Sequence, residues 1–437
     1  MAKKNADWVA RQVLSGLSGL SVNQSTNQHT ASIIFGKDKR PQSKFVYTDL
    51  SKDFPGYEYK NGKSTYRGEV VGEGGYVYAE PGIYYDVAVL DIASMHPSSA
   101  IALNLFGDEY TRRFGNVLNA RISVKHEDWD AADKLLENKL MPIVDGLAEK
   151  GVTVSHKAMA FALKIPINSV YGMTAAKFEN RFRDPRNVDN IVAKRGALFM
   201  VDLKHFVQER GFTAAHIKTD SIKIPNATPE IIQEVMDFGA KWGYTFEHED
   251  TYAKMCLVND AVYIAQYGEY NGYKWTATGA QFQHPVVFKT LFSHEPLTFD
   301  DYCETKSTTT ELYLDGNENL PEGEHSYQFI GKVGKFVPVK PGSDGGILLR
   351  KLKEPVPDER FLADGVTRKK DEPFEKDGVD RRYFSAAGSS KGFRWMEAET
   401  AERLGKEELI DKSYSTKLVD AAIEQIRTYG DYEAFVA

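Results

Sequence analysis

Two aspartates stand where a strand pattern ends, and together they could bind metal ions. Asp91 follows the apolar run at 87–90, a pattern that predicts a buried strand ending near a carboxylate. Asp220 lies between two strand-like runs in Lys218-Thr219-Asp220-Ser221, which predicts a hairpin with Asp220 at its tip. Carboxylates on neighbouring strand ends could bind divalent cations, because Mg²⁺ prefers a few oxygen ligands plus substrate phosphates.

A third segment, from Lys164 to Gly172, carries a cation, an amide and an aromatic ring. In a helix, Lys164, Asn168 and Tyr171 are spaced i, i+4 and i+7 and share one face. Pro166 predicts a kink there, since proline removes a helix hydrogen bond. Taken singly, each segment is also typical of a structural role: a turn or helix-cap aspartate, a hairpin-turn aspartate, or a solvated helix face.

In their order along the chain, the three segments resemble motifs A, B and C of family B DNA polymerases. The family patterns are D-x-x-S-L-Y-P-S, K-x-x-x-N-S-x-Y-G and Y-x-D-T-D-S. Here they read D-I-A-S-M-H-P-S from Asp91, K-I-P-I-N-S-V-Y-G from Lys164 and H-I-K-T-D-S from His216. The second matches at every specified position, and the others match at their essential aspartates. The resemblance covers about 75–265 and has the character of a bacteriophage-type member.

The resemblance implies that Asp91 and Asp220 are catalytic and bind two Mg²⁺ ions, with Mn²⁺ as an alternative. The backbone carbonyl of Ile92 would be a further metal ligand. His96 stands where the family has a tyrosine whose ring blocks a ribose 2′-hydroxyl, so weaker exclusion of ribonucleotides is expected. Lys218 replaces the first motif C aspartate, which in the family is not the essential ligand.

Two further groups of site residues follow from the resemblance. The nucleotide-binding group, which would contact the incoming dNTP, consists of Arg121, Lys125, Lys164, Asn168 and His96. The DNA-binding group, which would contact primer–template DNA, consists of Tyr171, Gly172, Thr219, Tyr263, Gly74 and Gly75. Arg121 and Lys125 fit an R-x-x-x-K element of the family, although alone such a pair is typical of a solvated helix face. Tyr263 lacks the family's preceding lysine, and the Gly74-Gly75 turn lacks the family's tyrosine.

The predicted fold is α/β: a right-hand polymerase with an antiparallel palm sheet, helical fingers and a C-terminal thumb. The predicted divisions are an N-terminal segment at 1–75, palm at 76–105, fingers at 106–172, palm at 173–290 and thumb or C-terminal region at 291–437. The 90 residues before Asp91 contain no D-x-E element, so we expect no 3′–5′ proofreading site in this chain. The implied function is template-directed DNA synthesis by two-metal-ion phosphoryl transfer.

Composition is typical of a globular intracellular protein. The 437 residues are 42% apolar and 27% charged, and Cys256 and Cys303 form no Cys-x-x-Cys pair, which excludes a cysteine-ligated metal site. No run reaches about 18 apolar residues and no signal-peptide pattern begins the chain. We therefore expect a cytoplasmic protein, in the host cytoplasm if phage-encoded, with no membrane partner. The formal charge of −7 disfavours nucleic acid, but residues 151–223 carry 12 Lys and Arg against six Asp and Glu.

The expected partners are primer–template DNA, dNTPs, and a separate exonuclease or other replication proteins. Residues 329–353, with six basic residues and one acid, are a candidate for duplex contact by the thumb or a solvated loop. The acidic segment at 247–250 is interpreted as a solvated loop, because no spacing supports metal ligation. Two other functions stay open: another palm polymerase, such as a reverse transcriptase or RNA polymerase, and a non-catalytic palm-like DNA-binding replisome subunit.

Overall fold

The computed structural model describes residues 6–187, 189–316, 327–355, 383–387, 392–405 and 407–437. These residues form a mixed α/β fold with antiparallel sheets, as predicted from the sequence. The chain divides into two compact units, Met1–Asp260 and Ala261–Ala437. No helix in the described ranges is long and apolar enough to cross a membrane.

The first unit contains two antiparallel sheets. Its strands are β1 (Glu58–Lys60), β2 (Lys63–Tyr66), β3 (Glu69–Val71), β4 (Val77–Ala79), β5 (Gly82–Ile92), β6 (His216–Lys218), β7 (Ser221–Ile224) and β8 (Phe246–Asn259). β1, β2 and β3 form a small sheet, and the main sheet of this unit has the order β8-β5-β7-β6-β4. All four residues at 87–90 of β5 are buried, so both faces of this central strand are covered.

The helices of the first unit pack into one apolar core with β5 and β7. They are α1 (Ala6–Ser18), α2 (Thr26–Phe35), α3 (Leu50–Asp53), α4 (Met95–Ala102), α5 (Asp108–Lys125), α6 (Trp129–Leu135), α7 (Leu140–Glu149), α8 (His156–Thr174), α9 (Ile191–Glu209) and α10 (Pro229–Lys241). α4 follows the end of β5 directly, because Ser94 adopts a left-handed conformation that turns the chain into the helix. α5 packs against α8, and α4 packs against α9.

Helix α8 carries the predicted motif B segment, and its periodicity decides which side chains reach solvent. Ser155 begins the helix by accepting a hydrogen bond from the N–H of Ala158. The helix buries apolar residues at spacings of three and four: Met159, Leu163, Ile167 and Val170. It continues through Pro166 as a single element. The opposite face leaves Lys164, Asn168 and Gly172 exposed.

The second unit is mostly antiparallel sheet. Its strands are β9 (Val262–Tyr267), β10 (Trp275–Thr278), β11 (Glu304–Asp315), β12 (Tyr327–Val339), β13 (Ile347–Lys351), β14 (Phe384–Ala386) and β15 (Arg394–Glu397). Its helices are α11 (Ala280–Gln283), α12 (Pro285–Phe288), α13 (Ala398–Arg403), α14 (Lys412–Arg427) and α15 (Tyr432–Val436). β9 pairs with β10, and the other strands form a sheet in the order β14-β13-β11-β12-β15.

A partly buried acidic side chain connects β11 to two helical elements of the second unit. The Glu304 carboxylate accepts from Nε2 of His284 at 3.1 Å and from the hydroxyl of Tyr414 at 2.7 Å. It also forms an ion pair with Lys306. Although burial opposes ionisation, these three partners lower the pKa of Glu304 to about 2. The carboxylate is therefore ionised at neutral pH and stabilises this unit.

The boundary between the units lies at residue 260, about 30 residues before the one predicted near residue 290. Helices α11 and α12 pack against α14, and the rings of Trp275 and Phe435 lie 5.6 Å apart. These contacts join residues 261–290 to the C-terminal unit. A change in composition cannot report such contacts, because they connect segments far apart in the sequence.

Candidate active site

Asp91 and Asp220 lie beside each other at one end of the main sheet of the first unit. Asp91 is the penultimate residue of β5 and pairs with Ser221, the first residue of β7. The backbone N–H of Ile92 donates to the carbonyl oxygen of Asp220 at 2.8 Å. Both aspartates are partly exposed. Strand pairing therefore brings together the two carboxylates that the sequence placed at strand ends.

The Asp91 carboxyl is surrounded by other negative charges. Its pKa is raised to about 7, first by burial and then by the charges of Asp220, Glu249 and Glu247, while Lys223 opposes them. An ionised Asp91 is unfavourable here in the absence of a compensating cation. A bound divalent cation would reverse this balance, since it would be the largest local charge in the site.

Glu247 and Glu249 lie in a strand, so the prediction of a solvated loop at 247–250 is wrong. β8 pairs antiparallel with β5, and Glu247 is opposite Asp91. The register shifts next to Leu90, which leaves Glu249 in a bulge. The spacing of the two acids could have indicated that their side chains lie on the same face, since residues i and i+2 of a strand share one face. Only the identity of the partner strand links them to Asp91.

The donor set fits a hard divalent cation that keeps open coordination positions. Among the residues that the structure describes, no group of three or more His, Cys, Asp and Glu could hold a metal ion by itself. Asp91 and Asp220 would contribute carboxylate oxygens, and water, backbone carbonyl and substrate phosphate oxygens would complete the shell, as Mg²⁺ prefers. The unfavourable accumulation of acids around Asp91 supports this fit.

His96 connects the end of β5 to helix α8. Its ring stacks on that of Tyr171, with centroids 4.0 Å apart and planes 7° apart. Burial lowers the pKa of His96, although the charge of Asp220 opposes this effect, so the ring is neutral at pH 7. Its buried Nδ1 has no hydrogen-bond partner in the described part of the chain. The Tyr171 hydroxyl accepts from Nδ2 of Asn190 at 3.2 Å.

Arg121 on α5 comes within electrostatic range of Glu247, a member of the acidic cluster that Asp91, Asp220, Glu247 and Glu249 form. Burial lowers the pKa of its guanidinium, and the charge of Glu247 opposes that effect. The buried Nε of Arg121 has no hydrogen-bond partner among the described residues. Leaving such a donor unpaired is costly, and an anionic ligand would satisfy it. Lys125, at the last position of α5, and Lys164 on α8 are exposed.

The Gly74-Gly75 turn lies against the hairpin that carries Asp220. The N–H of Thr219 donates to the carbonyl oxygen of Tyr76 at 2.9 Å. Gly75 has a φ of 143°, and a Cβ added there would lie 3.1 Å from the Thr219 side chain. Thr219 itself has a φ of 57°. The close approach of the two turns therefore requires glycine at position 75.

A buried lysine that sequence reasoning missed holds the start of this glycine turn. Lys194 of α9 is 1% exposed and donates to the carbonyl oxygens of Val71 and Gly72 at 3.3 and 3.0 Å. Its ammonium lies 3.6 Å from the Asp189 carboxylate. Nothing in the local pattern distinguishes this lysine from a surface residue, since the two carbonyl groups that it contacts precede it by more than 120 residues.

Tyr263 does not belong to the unit that contains Asp91 and Asp220. It lies in the second unit, on β9, opposite Thr278 of β10. The first unit contains every other predicted site residue, and there the three motif segments meet: Asp91 beside Asp220, and His96 against Tyr171.

Comparison with known proteins shows a distant structural similarity. No protein-family model matches the chain, and no curated protein matches it. Among solved structures, the chain is similar to the family B DNA polymerase from the hyperthermophilic archaeon Pyrobaculum calidifontis, with 14% sequence identity and a TM-score of 0.41. The match covers 77% of this chain and 49% of that one, so the chain spans about half the length of the archaeal polymerase.

Proposed function

We propose that the chain is a template-directed DNA polymerase that adds dNTPs to a primer 3′-hydroxyl. One observation carries the proposal: the segments that match the three polymerase motifs meet in the first unit. Asp91 and Asp220 are joined through the Ile92–Asp220 hydrogen bond, and His96 stacks on Tyr171. Separated segments that merely served local structural roles would have no reason to converge in this combination.

In this proposal the acidic cluster holds two Mg²⁺ ions through Asp91, Asp220 and the Ile92 carbonyl. The ions would lower the pKa of the primer 3′-hydroxyl and neutralise charge on the leaving pyrophosphate. Arg121, whose Nε lacks a partner in the described chain, would bind the triphosphate. Most of the rate enhancement would come from positioning and charge neutralisation.

The exposed face of α8 supplies the remaining contacts in the proposal. Lys164 would bind the triphosphate together with Lys125 of α5. Asn168 and Tyr171 would lie against the nascent base pair, and Gly172 would let the template backbone approach, since no other atom lies within 4 Å of a Cβ placed there.

The proposal also includes the type of polymerase and the absence of proofreading. We propose a polymerase of bacteriophage type in which residues 1–90 supply no proofreading site, because they contain no D-x-E element. An exonuclease and other replication proteins would then be separate partners. Incubating the purified chain with a mismatched primer–template and no dNTPs tests this point, and shortening of the primer would contradict it.

Primer extension with dNTPs and Mg²⁺ tests the central proposal. Asp91→Asn and Asp220→Asn keep the side-chain shape but remove a metal-binding charge, so each should abolish extension while primer–template binding persists. Asp237→Asn, an isosteric change at an exposed position on α10, is the matched control and should extend normally. Full extension by either active-site variant would contradict the metal assignment.

One observation favours the non-catalytic alternative. Lys218, exposed at the end of β6, stands where the family carries an acid. A parent protein that binds primer–template DNA but extends no primer, with Mg²⁺ or Mn²⁺, would support a DNA-binding replisome subunit. Extension on an RNA template but not on DNA would instead favour a reverse transcriptase.

A further inference from the structure

We propose that two loop segments of the first unit, 36–47 and 176–187, form a binding surface for single-stranded DNA. This loop surface would hold the unpaired template ahead of the primer end. The identity of that strand rests on the proposed function, whereas binding itself requires no catalysis. The two segments lie far apart in the sequence, so their union is a product of the fold.

Side-chain to backbone hydrogen bonds join the two segments into one surface. Four such bonds connect them. Three run from Arg181 to Gly36, from Gln42 to Asn180 and from Arg186 to Phe45, at 3.0, 3.0 and 2.9 Å, and Arg181 also donates to the carbonyl oxygen of Asp38. In addition, Phe182 lies in the core against Phe35, with ring centroids 4.7 Å apart. The loops are therefore anchored, and their outward side chains are presented from a fixed backbone.

The loop surface is strongly basic in a chain that is acidic overall. Its 24 residues include eight Lys and Arg against three Asp and Glu, whereas the whole chain carries a formal charge of −7. Lys37, Lys39, Arg40 and Lys177 are exposed and form no ion pair among the described residues. Arg183 donates only to a backbone carbonyl. These five cations are available to neutralise phosphates.

Exposed aromatic rings distinguish the expected ligand from duplex DNA. Phe178 is 61% exposed and Tyr47 is 51% exposed, and the Arg186 guanidinium lies 6.0 Å from the centre of the Tyr47 ring. Rings presented beside cations bind unstacked bases, which only a single strand offers. Duplex DNA would use the cations but could not use the rings.

The position of the loop surface relates it to the proposed active site. Segment 176–187 begins five residues after Tyr171, and Asn190, three residues beyond the segment, donates to the Tyr171 hydroxyl. Both ends of the loop are therefore anchored near the ring assigned to the nascent base pair. A template strand that passes this ring and is unpaired beyond it would meet the loop surface.

Binding of labelled oligothymidylate at several salt concentrations, followed by fluorescence anisotropy, tests the proposal. On single strands the logarithm of affinity falls with the logarithm of salt by about 0.7 per phosphate contact. The triple variant Lys39→Gln/Arg40→Gln/Lys177→Gln should reduce this slope by about 2 and weaken binding about 100-fold at 0.1 M salt. Phe178→Ala should weaken binding about tenfold at every salt concentration, with an unchanged slope.

Matched controls remove the same groups from elsewhere on the first unit. Lys63→Gln/Lys150→Gln/Lys241→Gln removes three exposed charges, and Tyr85→Ala removes an exposed ring. Neither should change oligothymidylate binding by more than about twofold. Circular dichroism melting would check that all variants are folded. Equal losses in the loop-surface and control variants would overturn the proposal, as would equal binding of a blunt duplex.

Primer–templates with 5′ overhangs of increasing length test the assignment to the template strand. Affinity should rise with overhang length in the parent and much less in the triple variant. Using Asp220→Asn as the background in both proteins makes this result independent of catalysis. A parent protein that extends no primer but binds overhangs would refute the proposed polymerase activity and support the loop surface as a binding site. Tighter binding of single-stranded RNA than of DNA would overturn the choice of DNA.

Discussion

Replacing Asp91 with asparagine should stabilise the first unit even as it removes the proposed activity. In the metal-free protein the pKa of Asp91 is raised from 3.8 to about 7, mainly by burial and then by neighbouring carboxylates. The folded state therefore binds this proton more tightly than the unfolded state does. Stability is present at low pH and is lost as pH rises from about 4 to about 7.

The size of the effect follows from that difference in pKa. A tenfold change in an ionisation constant is worth about 1.4 kcal/mol, so the full difference corresponds to about 4 kcal/mol. Asp91 is only partly buried, and solvent screening reduces this figure to about 2 kcal/mol. The amide of an asparagine at this position cannot ionise. Asp91→Asn should therefore raise the free energy of unfolding by about 2 kcal/mol at pH 8 and by less than about 1 kcal/mol at pH 5.

Scanning calorimetry in EDTA at both pH values measures this change in the transition of the first unit. A stabilisation of about 2 kcal/mol corresponds to about 4–8 °C in the midpoint for a unit of this size. Asp130→Asn, on an exposed aspartate of α6, is the control and should leave the midpoint unchanged. At ten times its dissociation constant, Mg²⁺ should stabilise the parent by about 1.4 kcal/mol and the Asp91→Asn variant by less.

Two results would refute this reasoning. If Asp91→Asn and Asp130→Asn behaved alike at pH 8, Asp91 would not be held against neighbouring negative charge. If the stabilisation were the same at pH 5 and pH 8, it would arise from packing and not from ionisation. Either result would also remove the main physical support for a cation site at the end of β5.

Three further predictions concern single side chains. His96→Tyr should lower the incorporation of ribonucleotides relative to deoxyribonucleotides, because a larger ring would crowd the 2′-hydroxyl; an unchanged incorporation ratio for rNTP and dNTP would contradict this. Gly75→Ala should destabilise the first unit by about 1–3 kcal/mol, since its positive φ strains any other residue and a Cβ there would lie only 3.1 Å from the Thr219 side chain; Gly74→Ala, with open space around it, is the control in chemical denaturation. Glu304→Gln should destabilise the second unit by about 3 kcal/mol at pH 7 and progressively less as pH falls from about 4.5 towards 2, because the partners that lower the pKa of Glu304 stabilise only its ionised form; a loss of stability that did not depend on pH would contradict this account.

The local elements around the site were predictable because their signals are local. The apolar run at 87–90 is a buried part of β5, and the runs on either side of Thr219-Asp220 are the strands of a hairpin. The spacing of Lys164 and Asn168 places both on the exposed face of α8. Such periodicities depend only on the geometry of a single strand or helix. The finer division into palm, fingers and thumb stays a prediction.

By itself, the sequence determined which residue types could do chemistry and which element carries each one. Two carboxylates, a cation-bearing helix face, a glycine-containing turn and a hairpin turn can all be identified in it, because side-chain chemistry and helix or strand periodicity are local properties. Tertiary structure alone decided which of these groups meet. Strand pairing set Glu247 opposite Asp91, ring stacking joined His96 to Tyr171, and hydrogen bonds to backbone carbonyls united 36–47 with 176–187. Each of these contacts depends on how separate elements pack, and no pattern within one segment records its distant partner.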